Sequence, residues 1–283
     1  MTEPVVLKLS GKVSDSSESL MLLAREIGHA RERGQSLVVV HGGGKQLDQL
    51  CAALGVQPKT VAGRRVTDEK TIHLAKLAFS GVNADVTAAL LSVGVPAVGI
   101  AAFSGQSLRL ERRPPSDVLV GDSAERVDWG FVGDVSEVDG ALLKHLILGG
   151  FVPVVSSLGV DRSGTILNIN ADTVAVAVAS AVGASRIVMA GDTDGVFRTF
   201  GDPSSHLQIL GLAEAKSMLA SGEATGGMLP KLSAVSSWLE EISAENVANA
   251  AAREVHIVSG LRDGEISRAA LAQPHAGTVI AAR

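Results

Sequence analysis

Short apolar runs alternate with longer amphipathic or alanine-rich segments along nearly the whole chain. Val5 to Leu9, Leu37 to Val40, Ala97 to Ile100, Val152 to Val155, Arg186 to Met189 and Val255 to Val258 are rich in Val, Ile and Leu and have the length of strands. Helical periodicity covers Ser17 to Arg33, Lys45 to Leu54, Asp68 to Ser92, Gly140 to Leu148, Ala171 to Val182, Leu212 to Ser221 and Met228 to Arg253. Strands that are apolar on both faces need cover on both, so the pattern predicts an α/β fold with a mainly parallel central sheet between helices. The stretch DTVAVAVAS also alternates like a strand, but its alanine density and its start at Asn170 and Asp172 favour a helix. From Ser104 to Val138 the texture changes to charged, proline-bearing and glycine-punctuated segments (SLRLERRPPSD, WGFVGDVSEVD), which predicts hairpins or a flap beside the sheet.

Composition narrows the functional classes. The 283 residues are 46% hydrophobic but only 3% aromatic, with no tyrosine, so the core is aliphatic and base stacking is disfavoured as a binding mode. A net charge of -5 also counts against a nucleic-acid partner. The single cysteine, Cys51, has no partner for an internal disulfide or a structural zinc, and it shares an apolar stripe with Leu47, Leu50 and Leu54. The start MTEPVVLKLSG has no basic leader or long apolar region. The uncharged stretch from Val86 to Leu108 is broken by Gly94, Pro96, Gly99 and Gly105, and that from Thr173 to Ser185 is too short to span a bilayer. The expectation is a cytoplasmic protein with no membrane segment.

Candidate chemistry gathers at the edges of the predicted elements. Lys8 ends an apolar run (VVLKLSGK), and Lys231 closes TGGMLPK. VVVHGGGKQL sets Gly42, Gly43 and Gly44 between a strand and a helix, where bare backbone amides and a helix N-terminus attract an anion; a plain tight turn is the alternative. His41 reads as a hydrogen-bonded residue more than a base. Arg65 in GRRVTD suits a bidentate carboxylate clamp or a surface position near the helix cap at Thr67 or Asp68. LNINAD offers Asn168, Asn170 and Asp172 either to ligands or as a helix cap. Asp192 and Asp194 in MAGDTDGV are turn formers or line a nucleotide pocket. Spacing rejects a Walker loop, because Val39 stands where its first glycine is required, and a dinucleotide fingerprint, because Leu47 stands where its last is required. There is no G-x-S-x-G or H-E-x-x-H motif and no metal-ligand spacing among the seven histidines, so no protein-held metal is expected. What remains is an anion-handling site suited to phosphoryl transfer.

HGGGKQL, GRRVTD, FVPVVSSLGV, LNINAD, MAGDTDGV and GGMLPK, in this order, resemble the amino acid kinase superfamily and, within it, most of all the N-acetyl-L-glutamate kinases. The resemblance implies an open αβα sandwich. Residues 1–164 would bind the acyl amino acid and residues 165–283 ATP, with Mg²⁺ held through the ATP phosphates. The implied reaction moves the γ-phosphoryl group to the side-chain carboxylate of N-acetyl-L-glutamate, the second step of arginine synthesis. By motif position, Lys8 and Lys231 would stabilise the transferring group and Asp172 would orient both. Gly43, Gly44, Arg65, Asn168 and Asn170 would hold substrate. Gly11, Gly191, Asp192, Thr193, Asp194, Gly195, Val196, Glu223, Ala224 and Thr225 would line the nucleotide site.

Two departures stand out: Ser10 replaces a usual glycine and resembles the opening of uridylate kinases, and AGDTDGV replaces a more usual serine-aspartate pair. Few residues precede the first strand, which implies a homodimer insensitive to arginine. Three competing readings are a carrier-protein-linked aminoadipate or glutamate kinase, for which only Arg109, Arg112 and Arg113 hint at a basic face; a uridylate-kinase-like enzyme; and a catalytically silent sensor.

Overall fold

A computed structural model describes residues 2–120, 123–199, 201–224, 227–244 and 253–281. Its central sheet has eight strands in the order Ile209–Gly211, Thr278–Ala281, Glu254–Ser259, Arg186–Gly191, Val5–Leu9, Leu37–His41, Val152–Ser156 and Ala97–Ala101. The six strands expected from the apolar runs are mutually parallel. Thr278–Ala281 runs antiparallel to its neighbour Glu254–Ser259 and parallel to Ile209–Gly211. Strands from before Gly164 fill one contiguous half of this sheet and those from after it the other; Val5–Leu9 and Arg186–Gly191 meet at the middle.

Strand alternation decides which side chains reach which face. Val5, Leu7 and Leu9 enter the core under the helices Ser17–Glu32 and Glu69–Ser92, while Val6 enters the opposite core, which the helix Ala171–Val182 helps to build. Lys8 shares the parity of Val6 and therefore points toward Ala171–Val182. That helix confirms the reading of DTVAVAVAS: Val174, Ala175, Val178 and Val182 recur at helical spacing and are buried.

The segment from Ser104 to Val138 forms the expected accessory structure. Leu108–Arg112 and Gly133–Val138 pair antiparallel in a second, four-stranded sheet with Leu158–Val160 and Ile166–Asn168, and Ser116–Val120 with Ser123–Val127 make a hairpin. Among the strands of the central sheet and the α-helices, three elements were not anticipated: the strands Ile209–Gly211 and Thr278–Ala281 and the helix Glu265–Ala270. All are six residues or fewer, too short to show a period. Helix ends differ by one residue where a cap was counted as helix: Asp68 accepts from Thr71 N at 2.7 Å as N-cap, and Arg33 is a C-cap. The helix expected over Met228 to Arg253 runs from Met228 to Ala244; residues 245–252 lie outside the described residues.

One buried carboxylate ties an early helix to a late one. Glu26, on the helix Ser17–Glu32, accepts from Gly264 N at 2.8 Å and Ser267 N at 2.9 Å, satisfying free amides at the start of the helix Glu265–Ala270. Hydrogen bonds to a charged acceptor contribute about 1.5–3 kcal/mol each, and their loss strands buried amides. Glu26→Ala is expected to destabilise the fold by about 3 kcal/mol or more, read as a lower urea midpoint with an unchanged slope; a loss within error of zero would refute the role.

Candidate active site

The ends of the parallel strands bring the site together, as expected for ligand crevices in open α/β sheets. Val5–Leu9 delivers Lys8 and the turn from Ser10 to Ser14, Leu37–His41 delivers the glycines, and Arg186–Gly191 delivers Asp192. The first two loops touch: a Cβ built on Gly11 would stand 3.4 Å from Lys45 Cβ, Lys45 pairs with Asp15, and Gln46 Nε2 donates to Ser14 O.

At the centre, Lys8 Nζ lies 2.6 Å from Asp172 Oδ1, both side chains less than a tenth exposed. Asp172 sits in the first turn of Ala171–Val182, and Asn170 caps that helix by accepting from Asp172 N at 2.7 Å. Lys231 stands close enough to feel Lys8, Asp172 and Asp192; burial, then the neighbouring Lys8 charge, pushes its ammonium below the ordinary lysine range, against the two carboxylates. Its Nζ donates to Gly227 O at 3.3 Å. The contact of Asp172 is therefore with Lys8, and its hold on Lys231 is through the field. Asp192 receives Lys12 Nζ at 2.5 Å, and Lys12, with Lys231 adding, holds its carboxyl below the usual range.

The triple glycine serves the site in two ways. Gly43 is the N-cap of Gly44–Ala53 with no side chain capping it, so the first amides of that helix stay open to an anion. A Cβ on Gly43 would meet Phe79 Cδ1 at 2.4 Å, whereas one on Gly44 would meet nothing within 4 Å. Gly43 thus packs against a ring, and Gly44 faces open space. Nearby, a Cβ on Gly42 would lie 3.5 Å from Ala171 Cβ, so the N-termini of two helices converge here. His41 is 1% exposed; its Nδ1–H donates to Gly42 O at 2.6 Å, and Nε2 accepts from Asn83 Nδ2 at 3.0 Å. Burial lowers its pKa to about 4. With both ring nitrogens engaged and no charge at neutral pH, it is no base.

Arg65 belongs to the same edge. Its Nη2 binds Asp48 at 2.7 Å and reaches Gly44 O at 3.4 Å, while Nη1 is buried without a hydrogen-bond partner. A half-used fork beside the open glycine fits a carboxylate ligand. Asn168 Nδ2 donates to Thr67 Oγ1 at 3.2 Å, and the backbone bridges Thr67 to Gly130 and Asn168 to Val132 hold these strands together.

The side chains of several expected residues are engaged or buried within the fold. Asn170 commits its amide oxygen to the cap, leaving only its amide nitrogen for a substrate. Val196 and Ala224 are buried in the core, and Val196 N donates to Thr278 Oγ1 at 2.8 Å. Gly195 is wedged in, since at φ +122° its Cβ would meet Thr278 Oγ1 at 2.4 Å. Glu223 accepts from Ser221 Oγ at the end of its own helix. Asp192 and Thr193 are exposed and Asp194 is half-buried; Gly191 ends its strand with its carbonyl accepting from Gly260 N at 2.7 Å. Thr225 lies outside the described residues. Sequence reasoning missed Lys12 and Arg262. Arg262 binds Asp194 at 2.8 Å from just past Glu254–Ser259, so the rule that ligands bind at strand C-termini would have found it. Among the described residues no group of three or more His, Cys, Asp or Glu is placed to hold a metal.

This is a phosphoryl-transfer type of site: two ammoniums around a buried carboxylate, facing glycine amides and helix N-termini. The chain belongs to the amino acid kinase family, whose profile matches residues 3–258. It is 39% identical over 280 residues to the acetylglutamate kinase of Sorangium cellulosum, covering 99% of this chain and 95% of that one. To the acetylglutamate kinase of Anaeromyxobacter dehalogenans strain 2CP-C it is 40% identical over 277 residues, covering 98% of each. N-acetylglutamate synthase from Neisseria gonorrhoeae, complexed with coenzyme A and N-acetyl-glutamate, superposes with a TM-score of 0.79 at 26% identity; the match spans 99% of this chain and 59% of that longer one. Carbamate kinase from Giardia lamblia bound to AMP-PNP shares the fold, with a TM-score of 0.69 at 17% identity over 99% of each chain. A kinase of this family uses ATP.

Removing Lys8 or Lys231 as alanine is expected to lower kcat by about a hundredfold or more while changing the Kd for ATP by less than about tenfold. Because the Lys231 ammonium is held below its ordinary range, activity is lost as pH rises, starting below the usual lysine pKa; Lys231→Arg moves that limb upward. Pre-steady-state turnover across pH reads both, and near-wild-type turnover in either alanine variant refutes the assignment.

Proposed function

We propose that the protein transfers the γ-phosphoryl group of ATP to the side-chain carboxylate of N-acetyl-L-glutamate, giving an acyl phosphate and ADP. The convergence of Lys8, Asp172 and Lys231 at the C-terminal end of the central strand Val5–Leu9 carries this reading. A carboxylate is already a nucleophile, so no base is required: one of its oxygens bonds to the γ-phosphorus as the bond from the bridging oxygen to that phosphorus breaks, and ADP leaves. Alignment and neutralisation of charge on the equatorial oxygens are then the protein's task. Lys8 and Lys231 meet that charge, Asp172 keeps Lys8 in place, and the amides from Gly44 onward meet the phosphate. Arg65 and Asn168 hold substrate carboxylates, with the unpartnered Nη1 of Arg65 supporting its part. Residues 1–164 bind the acyl amino acid and residues 165–283 the nucleotide, through Gly11, Gly191 and the stretch from Asp192 to Asp194. Mg²⁺ arrives with the ATP phosphates. The names of the relatives support the same substrate.

A carrier-linked acceptor is less favoured. Arg109 pairs with Glu137 at 3.5 Å and Arg113 with Asp134 at 2.5 Å. Arg112 lies over the Phe131 ring and donates to Gly130 O. The three arginines are thus engaged within the flap and present little free charge to an acidic carrier.

The active unit we infer is a cytoplasmic homodimer. Ala97–Ala101 ends the sheet, and between it and the helix Glu69–Ser92 lies a groove of about 590 Å³ lined by Ala84, Ala88, Leu91, Gly99 and Phe103. Leu77 and Leu91 are each more than half exposed on that helix. It is long and apolar enough to cross a membrane by length and composition, yet only 33% of its apolar window is buried. A second copy laid edge to edge covers the apolar face and pairs the open strand.

ADP release from MgATP with N-acetylglutamate, glutamate, aminoadipate and UMP offered separately, with hydroxylamine to trap acyl phosphate, tests the substrate. Hydroxamate is expected with N-acetylglutamate alone, and Arg65→Ala is expected to raise the KM for that substrate about tenfold or more; turnover only with UMP overturns the reading. In light scattering, wild type is expected at twice the chain mass and Leu91→Asp at one; a monomeric wild type removes the dimer.

A further inference from the structure

We infer that Lys12 is a third phosphate-contacting ammonium, parked on Asp192 in the empty site and handed to the nucleotide polyphosphate when it binds. The inference rests on the ATP reading above and adds to it a residue that the motif assignments leave out.

Three lysines and two aspartates form one row of alternating charge. Lys12 pairs with Asp192 at the rim, Asp192 and Asp172 both act on Lys231, and Asp172 pairs with Lys8 in the interior. Three ammoniums against two carboxylates leave this row one positive charge in excess, so it accepts an anion. The members differ in what they give up to do so. Lys8 is fixed in a buried pair, and Lys231 is held by burial. The Lys12 side chain is 61% exposed, and an exposed ion pair of this kind contributes little to stability. Exchanging that carboxylate for a phosphate oxygen therefore costs little, and the exchange takes place where water is excluded by the ligand itself.

The backbone fixes where Lys12 can reach. The turn from Ser10 to Val13 is pinned at one end by Ser10 N donating to Ala190 O and closed by Val13 N donating to Ser10 O. Lys12 stands four residues beyond Lys8, at the top of the same crevice, and its ammonium already spans to the neighbouring strand's loop, 180 positions away in sequence. A second observation points to an anion at this turn. Ser10 Oγ is buried without a hydrogen-bond partner, and it lies 4.0 Å from where a Cβ of Gly191 would stand. An unmet hydroxyl beside a bare glycine leaves room and a donor for a ligand oxygen.

If Lys12 only neutralised Asp192, its loss would weaken phosphate binding through the carboxylate left bare beside Lys231, and the double variant Lys12→Met/Asp192→Asn, titrated alongside, would bind as wild type does; direct contact predicts that the double variant stays weak. Calorimetry without any acyl acceptor separates the two. MgADP, the magnesium complex of inorganic tripolyphosphate, and adenosine are titrated into wild type, Lys12→Met and Lys12→Arg. Lys12→Met is expected to weaken MgADP and tripolyphosphate about tenfold while leaving adenosine unchanged, and Lys12→Arg to restore most of the loss. Lys12 is exposed in a turn, so the variants are expected to keep the wild-type melting temperature, which is measured alongside. Equal binding of both phosphates by wild type and either Lys12→Met or the double variant overturns the inference and leaves the kinase reading standing. Failure of wild type to bind MgADP or tripolyphosphate at all overturns both.

Discussion

Everything at the site depends on a charge pair that is expensive to bury. Lys8 and Asp172 meet at 2.6 Å with almost no access to water, and a pair of this kind recovers its desolvation cost only when its geometry is held rigidly. The fold supplies that rigidity from both directions. Lys8 lies on the strand flanked by Leu37–His41 and Arg186–Gly191, and Asp172 lies in the first turn of a helix packed on that strand. Removing either partner strands the other. The arrangement is better explained by what it offers a ligand than by what it gives to stability, since two apolar residues would stabilise the same place more cheaply.

Burial lowers the proton affinity of Lys231, and the second lysine placed beside it adds a repulsion of its own. In the unliganded protein the repulsion is contained by Asp172 and Asp192. A polyanion relieves it, so charge repulsion in the free site becomes attraction in the bound one. On the proposed reaction that is electrostatic preorganisation in a simple form: the cations are already assembled before the charge they would serve develops.

The frame was legible in the sequence because it follows from periodicity. A strand of Val5, Val6, Leu7, Lys8 and Leu9 is apolar on both faces, so it belongs inside a covered sheet, and its alternation also gives the direction of Lys8. Asn170 and Asp172 announced a helix start for the same local reasons that they cap one. Long-range geometry was not legible. Lys12 looks like any polar turn residue until a loop 180 positions away brings Asp192 to it. Val196 and Ala224 send their side chains to the core, as a turn that borders a pocket must do with its next apolar residue. The short strands at one sheet edge are specified by neighbours rather than by their own few residues.

The link from Glu26 to Gly264 and Ser267 spans about 240 positions of sequence, and this bears on how the chain is made. During synthesis the helix that carries Glu26 emerges early, yet its carboxylate has no amide to receive until Gly264 and Ser267 follow. The central strand waits in the same way, because one of its two partners, Arg186–Gly191, belongs to the second half. The nascent first half is therefore an incomplete sheet with an open inner edge and an unpaired charge, a form that invites chaperone contact. Arrival of the second half, rather than growth of the first, is what lets the central sheet close.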